Sequence, residues 1–211
     1  MIYKFVYNFL YSHIILWKEM IYTIEGKLTH RGENFVVLET GGLGMRIFTH
    51  ARSMHAIPAS GSVIKFFCHL HVRENALELY GFASQKELDL FESLISVSGV
   101  GPKSAIAILG IDKLENILAA IKENRPDLLR RASGIGGKTA DRIVLELKNK
   151  VTSEKSESVV GKMETDSDLV ETLVGLGYRR EQAKAALAKV DEKVVGLEGR
   201  LKAVFKVLGK K

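Results

Sequence analysis

Residues 94–109, LISVSGVGPKSAIAIL, align without gaps to residues 129–144, LRRASGIGGKTADRIV, at an offset of 35. Leu94/Leu129, Ser98/Ser133, Gly99/Gly134, Gly101/Gly136, Lys103/Lys138, Ala105/Ala140 and Ile108/Ile143 are identical. A pattern repeated at so short a period is one supersecondary unit used twice. Apolar residues at helical spacing flank each Gly-(Val/Ile)-Gly, so each copy reads as helix, tight turn, helix. A dinucleotide-binding glycine loop fits poorly, because that loop follows a strand.

The layout predicts a phosphate grip. Gly99, Gly101, Gly134 and Gly136 permit backbone conformations closed to other residues and leave no side chain to hold a ligand off. Val100 and Ile135, the apolar residues between them, are expected to plug into the helix pair. Unpaired amides at the start of each following helix then face outward, where the helix dipole adds positive potential. Lys103 and Lys138 add a point charge two residues past the second glycine, with Arg142 one turn further along. Such a turn holds a phosphate without reading a base. An ordinary helix–helix turn with a C-cap glycine explains one copy, but the repeated lysine favours phosphate.

The rest of the chain sets these hairpins in a multidomain α+β frame. Residues 20–83 carry five short β-rich runs, Thr23 to Leu28, Asn34 to Glu39, Met45 to Thr49, Val63 to Leu70 and Leu77 to Phe82. Turn residues such as those at 31–34, 41–44 and 59–62 separate them. Closure removes sheet edges, so an OB-like barrel is expected, with a sandwich as the alternative. Ser84 followed by Glu87 is a capping box opening an all-α tandem helix-hairpin-helix domain over 84–150. Residues 151–165 are polar and are expected to be a flexible linker. Apolar stripes at Leu169/Leu173/Leu176, Ala183/Ala186/Leu187/Val190 and Leu201/Val204/Phe205/Leu208 predict a small three-helix bundle over 166–211.

Bulk properties narrow the field further. The 211 residues are 46% hydrophobic, enough for real cores, and the formal net charge is +6. That excess has no basic tail, so an anionic partner must be held by arranged groups rather than by bulk charge. Cys68 is the only cysteine; it excludes an intrachain disulfide and suggests a reducing, cytoplasmic setting. Residues 1–19 contain an apolar run too short for a bilayer span and no signal-peptide cleavage pattern. They are expected to be an extension upstream of a true start at Met20. No cofactor and no metal are expected: His69 and His71 share a strand face, but no third ligand is evident.

The segment Val72-Arg73-Glu74-Asn75-Ala76-Leu77-Glu78-Leu79-Tyr80-Gly81-Phe82, the paired GVGPK and GIGGK turns, and Leu173-Val174-Gly175-Leu176-Gly177-Tyr178 together resemble the RuvA family. These are Holliday-junction-binding subunits of the bacterial branch-migration complex, and the resemblance runs over residues 20–211. It implies an OB barrel, a tandem helix-hairpin-helix domain and a mobile UBA-like three-helix domain. It implies a homotetramer, single or stacked in pairs, that holds a four-way junction open and square. It also implies that the RuvB hexameric ATPase docks on the C-terminal domain at Leu173, Leu176, Gly177, Tyr178 and Ala186, with the RuvC resolvase in the wider complex. ATP hydrolysis would belong to that partner, since the chain lacks a Gly-x4-Gly-Lys-Ser/Thr loop. Glu74 and Asn75 occupy the family's acidic pin, where two acids are usual, so the pin field here is expected to be weaker.

Two other classes use the same parts. A helix-hairpin-helix glycosylase or nuclease would need a buried lysine or aspartate, or clustered acids for metal ions. Asp141 beside the second hairpin is expected instead to pair with Arg142 or Lys138. An RNA-binding module is the other alternative. Tyr22, Tyr80 and Phe82 could stack bases on a barrel face, but core packing is the plainer role.

Overall fold

Alternation of apolar and polar residues builds the N-terminal domain. The structure, a computed structural model, describes residues 20–153, 156–191, 194 and 196–209. The expected extension at 1–19 lies outside the described residues. Strands β1 (Thr23–Arg31), β2 (Phe35–Thr40), β3 (Leu43–Phe48), β4 (Val63–Arg73) and β5 (Ala76–Phe82) close into a barrel in the order β1-β2-β3-β5-β4. The β3–β5 seam is parallel and the other four are antiparallel. Every second residue points inward, so Leu28, Val36, Leu38, Ile47, Phe66 and Leu79 fill the interior. Gly41 and Gly42, at φ +56° and +82°, form the two-residue hairpin between β2 and β3 that only such residues allow.

A short helix that the sequence reading did not anticipate, α1 (Ala51–Ala56), follows β3 and inserts Met54 into the barrel interior. His50 caps it: its Nδ1 accepts from the Ser53 amide at 3.3 Å. His50 is rare at an N-cap, which is why the start signal was missed.

Beyond the barrel, α2 (Gln85–Ile95), α3 (Pro102–Ile111), α4 (Leu114–Lys122), α5 (Pro126–Leu129) and α6 (Gly137–Leu147) form the helical domain. Ser84 caps α2 as the sequence predicts, accepting from the Glu87 amide at 3.3 Å. The outer face of β5 packs on α2, so Tyr80 and Phe82 join the core built by Leu88, Phe91 and Leu94. The Phe82 and Phe91 rings lie 4.8 Å apart. Barrel and hairpins therefore share one apolar seam.

The expected linker is corrected by the structure. A single helix, α7 (Ser156–Gly175), runs through most of it and into the C-terminal bundle. Val160 is buried, Met163 lines one pocket with Ile117, Ala120, Leu128 and Leu129 of the helical domain, and Glu164 pairs with Arg125. Ser156, Val160 and Met163 recur at helical spacing; only two of the three are apolar, so composition hid the stripe. Helices α8 (Arg180–Leu187) and α9 (Leu197–Leu208) complete the three-helix bundle around Leu169, Leu173, Ala183 and Val204. Arg200 reaches Asp166 through two bonds of 2.6 and 2.9 Å and donates to the Val194 carbonyl at 3.0 Å. A buried guanidinium held by three acceptors ties α9 to α7.

Candidate nucleic-acid interface

The two hairpins have the same internal wiring. In the first, the Val100 amide donates to the Val97 carbonyl at 3.0 Å; in the second, Ile135 donates to Ala132 at 3.2 Å. Gly99 and Gly134 hold φ of +88° and +79°, a region that side-chain-bearing residues enter only under strain. Val100 and Ile135 are 5% and 7% exposed, plugged into the helix pair as expected. The four glycines lie on the surface.

The second glycine of each turn has a different task. Gly101 and Gly136 are the N-cap residues of α3 and α6, at φ −91° and −84°, which any residue adopts. A Cβ at either would meet nothing within 4 Å. What glycine provides there is open space in front of the helix. Neither helix has a side-chain cap. Among the described residues, the amides of Gly101, Lys103 and Ser104 and of Gly136, Lys138 and Thr139 make no hydrogen bond. Two bare helix N-termini thus face solvent with Lys103 and Lys138 exposed beside them, an arrangement suited to anions.

Arg142 is exposed, and one of its guanidinium nitrogens donates to the Ser98 carbonyl at 2.9 Å, linking the second hairpin's helix to the first hairpin's turn. This bond joins the two turns across a core that both hairpins share. Asp141 pairs with Arg130 at 3.4 Å, not with Arg142 or Lys138; α5 brings Arg130 back across the start of α6, a tertiary approach that neighbouring sequence could not reveal.

Other singled-out residues take structural roles. His69 is buried with Nδ1 2.9 Å from Glu92, and His71 accepts from Arg73 Nε at 2.9 Å. Burial, then the charge of Arg73, lowers the His71 pKa. Among the described residues no three His, Cys, Asp or Glu side chains gather as metal ligands would. Tyr22 bonds Gln85 and sets its ring edge-on to Phe67 at 6.3 Å; Tyr80 donates to Glu78 at 3.0 Å. Glu74 and Asn75 form the exposed two-residue tip of the β4–β5 hairpin, where Arg73 pairs with Ala76.

The C-terminal bundle divides the five residues expected to meet a partner. Leu173, at 0% exposed, and Ala186 belong to the bundle's core, where helix spacing puts both on inward faces. Leu176 is 60% exposed, Gly177 turns the chain at φ +92°, and Tyr178 packs partly against the core. Of the five residues expected at a partner contact, Leu173 and Ala186 are thus buried within the bundle, and Leu176 offers the largest exposed surface.

A five-stranded barrel fused to a tandem of phosphate-style hairpins, with a helical bundle behind, defines the class: a barrel and helix-hairpin-helix protein. Family models divide the chain in that order, with the RuvA N terminal domain over residues 20–81, the SAM-like helix-hairpin-helix tandem over 91–149 and the RuvA C-terminal domain over 166–198. The Holliday junction branch migration complex subunit RuvA of Dehalococcoides mccartyi is 39% identical over 194 residues, 91% of this chain and 100% of that protein. Its counterpart in Caldanaerobacter subterraneus is 37% identical over 195 residues, 90% and 100% of the two chains. That of Acetivibrio thermocellus is 36% identical over 197 residues, 89% and 98%. The chain belongs to the RuvA family.

Proposed function

We propose that this protein is a non-catalytic subunit that binds four-way DNA junctions through their backbone phosphates during branch migration in recombination and repair. The observation that carries the reading is the pair of bare helix N-termini, cross-linked by Arg142 and flanked by Lys103 and Lys138. Gly99, Val100, Gly101 and Lys103 of one hairpin, and Gly134, Ile135, Gly136, Lys138 and Arg142 of the other, make the phosphate contacts. Four copies assemble with fourfold symmetry to match a junction opened into a square. Glu74 and Asn75 then meet at its centre. The exposed part of the C-terminal bundle, around Leu176 and Tyr178, receives a RuvB-type hexameric ATPase. RuvC joins the wider complex, and the setting is cytoplasmic.

The test is a gel shift comparing a four-way junction with linear duplex of equal length. Tighter binding to the junction is expected, with affinity falling steeply as salt rises and little dependence on base sequence. Lys103→Gln with Lys138→Gln should weaken every junction sequence alike and lower the salt slope by about one per lysine lost at a contact. Equal affinity for both DNAs, a sequence-selective loss, or cleavage of the junction by the protein alone would each overturn the reading.

A further inference from the structure

Where the barrel meets the first hairpin, a cleft of about 400 Å³ opens between the β1–β2 loop, the end of β3 and the outer side of α3. Its size falls within the range of small-ligand sites, roughly 300–1,000 Å³. Asn34 and Thr49 line it from the barrel, Lys103, Ile106 and Ala107 from α3, and Ser133 from the edge of the second hairpin. Thr49 is 1% exposed, and its hydroxyl is the one buried side-chain polar atom without a hydrogen-bond partner among the described residues. Leaving such a group unpaired costs folding free energy, whereas an apolar group of the same shape costs nothing comparable.

We infer that this cleft seats one sugar–phosphate unit of the DNA strand gripped by the first hairpin, with Thr49 and Lys103 as its polar contacts. The inference rests on the phosphate reading of the hairpins. The chemistry of the walls is divided as that ligand is divided. Ile106 and Ala107 offer apolar surface to the deoxyribose carbons, while the Lys103 ammonium and the Thr49 and Ser133 hydroxyls suit phosphate oxygens. Glu33, the one acid on the cleft, lies on the barrel side and repels anions there, so the phosphate is set toward Lys103. Lys138, the repeat partner of Lys103, does not line the cleft. Of the two repeated lysines the barrel therefore backs only Lys103, and two turns alike in sequence hold DNA unequally.

The test uses the full chain and a fluorescein-labelled four-way junction in an anisotropy titration. Thr49→Val should melt at the same or a higher temperature yet bind the junction about ten-fold more weakly, the loss expected for a hydrogen bond to a charged group. Thr49→Ser, which keeps the hydroxyl, should bind like the parent. Should valine disturb the seam, Thr49→Ala supplies the same comparison. The valine effect should vanish in a Lys103→Gln background and persist in Lys138→Gln, because coupling marks shared contacts. Parental affinity for Thr49→Val overturns the inference, as does equal weakness of the valine and serine variants. A change in assembly mass of Thr49→Val without DNA also overturns it, assigning the cleft to contacts between copies. If Thr49→Val binds normally while the double lysine variant is weak, only the cleft assignment falls. If the lysine variant also binds normally, the hairpin reading falls with it.

Discussion

Gly99 and Gly101 stand two residues apart and have opposite reasons to be glycine, and the difference is measurable. Alanine at Gly99 must adopt φ near +88°, a strain on the order of 1–2 kcal/mol, so Gly99→Ala should lower the melting temperature. Alanine at Gly101 meets no neighbour and an ordinary φ, so Gly101→Ala should melt like the parent. Its methyl nevertheless stands before the bare amides, and junction binding should weaken in the anisotropy titration. A Gly101→Ala variant with parental affinity would deny that ligand approaches this turn. The Cys68 thiol is a quieter residue: burial in the barrel pushes its pKa up to about 12, which keeps the reactive thiolate out of reach.

The hairpins were legible as elements because their determinants are local: two glycines, an apolar plug and a lysine within five residues. The barrel strands were legible from alternation, although β1 runs on to Arg31 and β4 to Arg73, lengths set by pairing partners rather than by composition. What escaped depends on tertiary contact. The N-terminal half of α7 is helical because Val160 and Met163 find the α4 and α5 surface, and the pairing of Asp141 with Arg130 depends on the path of α5. The start of α2 joins the two kinds of information. Ser84 and Glu87 were readable as a cap, but His50, whose Nε2 lies 3.5 Å from Glu87, comes from the barrel. Burial raises the Glu87 carboxyl pKa, and the hydrogen bond of His50 with those of the Ala83 and Ser84 amides more than offsets it, leaving it below the usual range. A carboxyl held low in the fold contributes stability above its unfolded value of about 4.3, and loses it as pH falls through the folded value. Glu87→Gln should therefore cost about 1–2 kcal/mol at pH 7 and less in strong acid, as read by urea denaturation across pH. An equal deficit at both ends would remove this carboxylate from the acid response.

At the scale of the molecule, barrel and hairpins are welded by Tyr80, Phe82 and Phe91, while the C-terminal bundle is held to them by one helix and its contacts. Met163→Asp places a charge among Ile117, Ala120 and Leu129 and should release the bundle without unfolding either part. Amide exchange in α4 should quicken while the bundle core around Leu169 stays protected. Unchanged protection in α4 would mean that α7 does not dock there.

Because α7 crosses from the hairpin domain into the bundle without interruption, the connection is a rod about 30 Å long rather than a slack tether. Its near half packs on α4, and Leu169 and Leu173 place its far half in the bundle core. A change in how the near end docks would therefore be felt as a change in where the bundle stands.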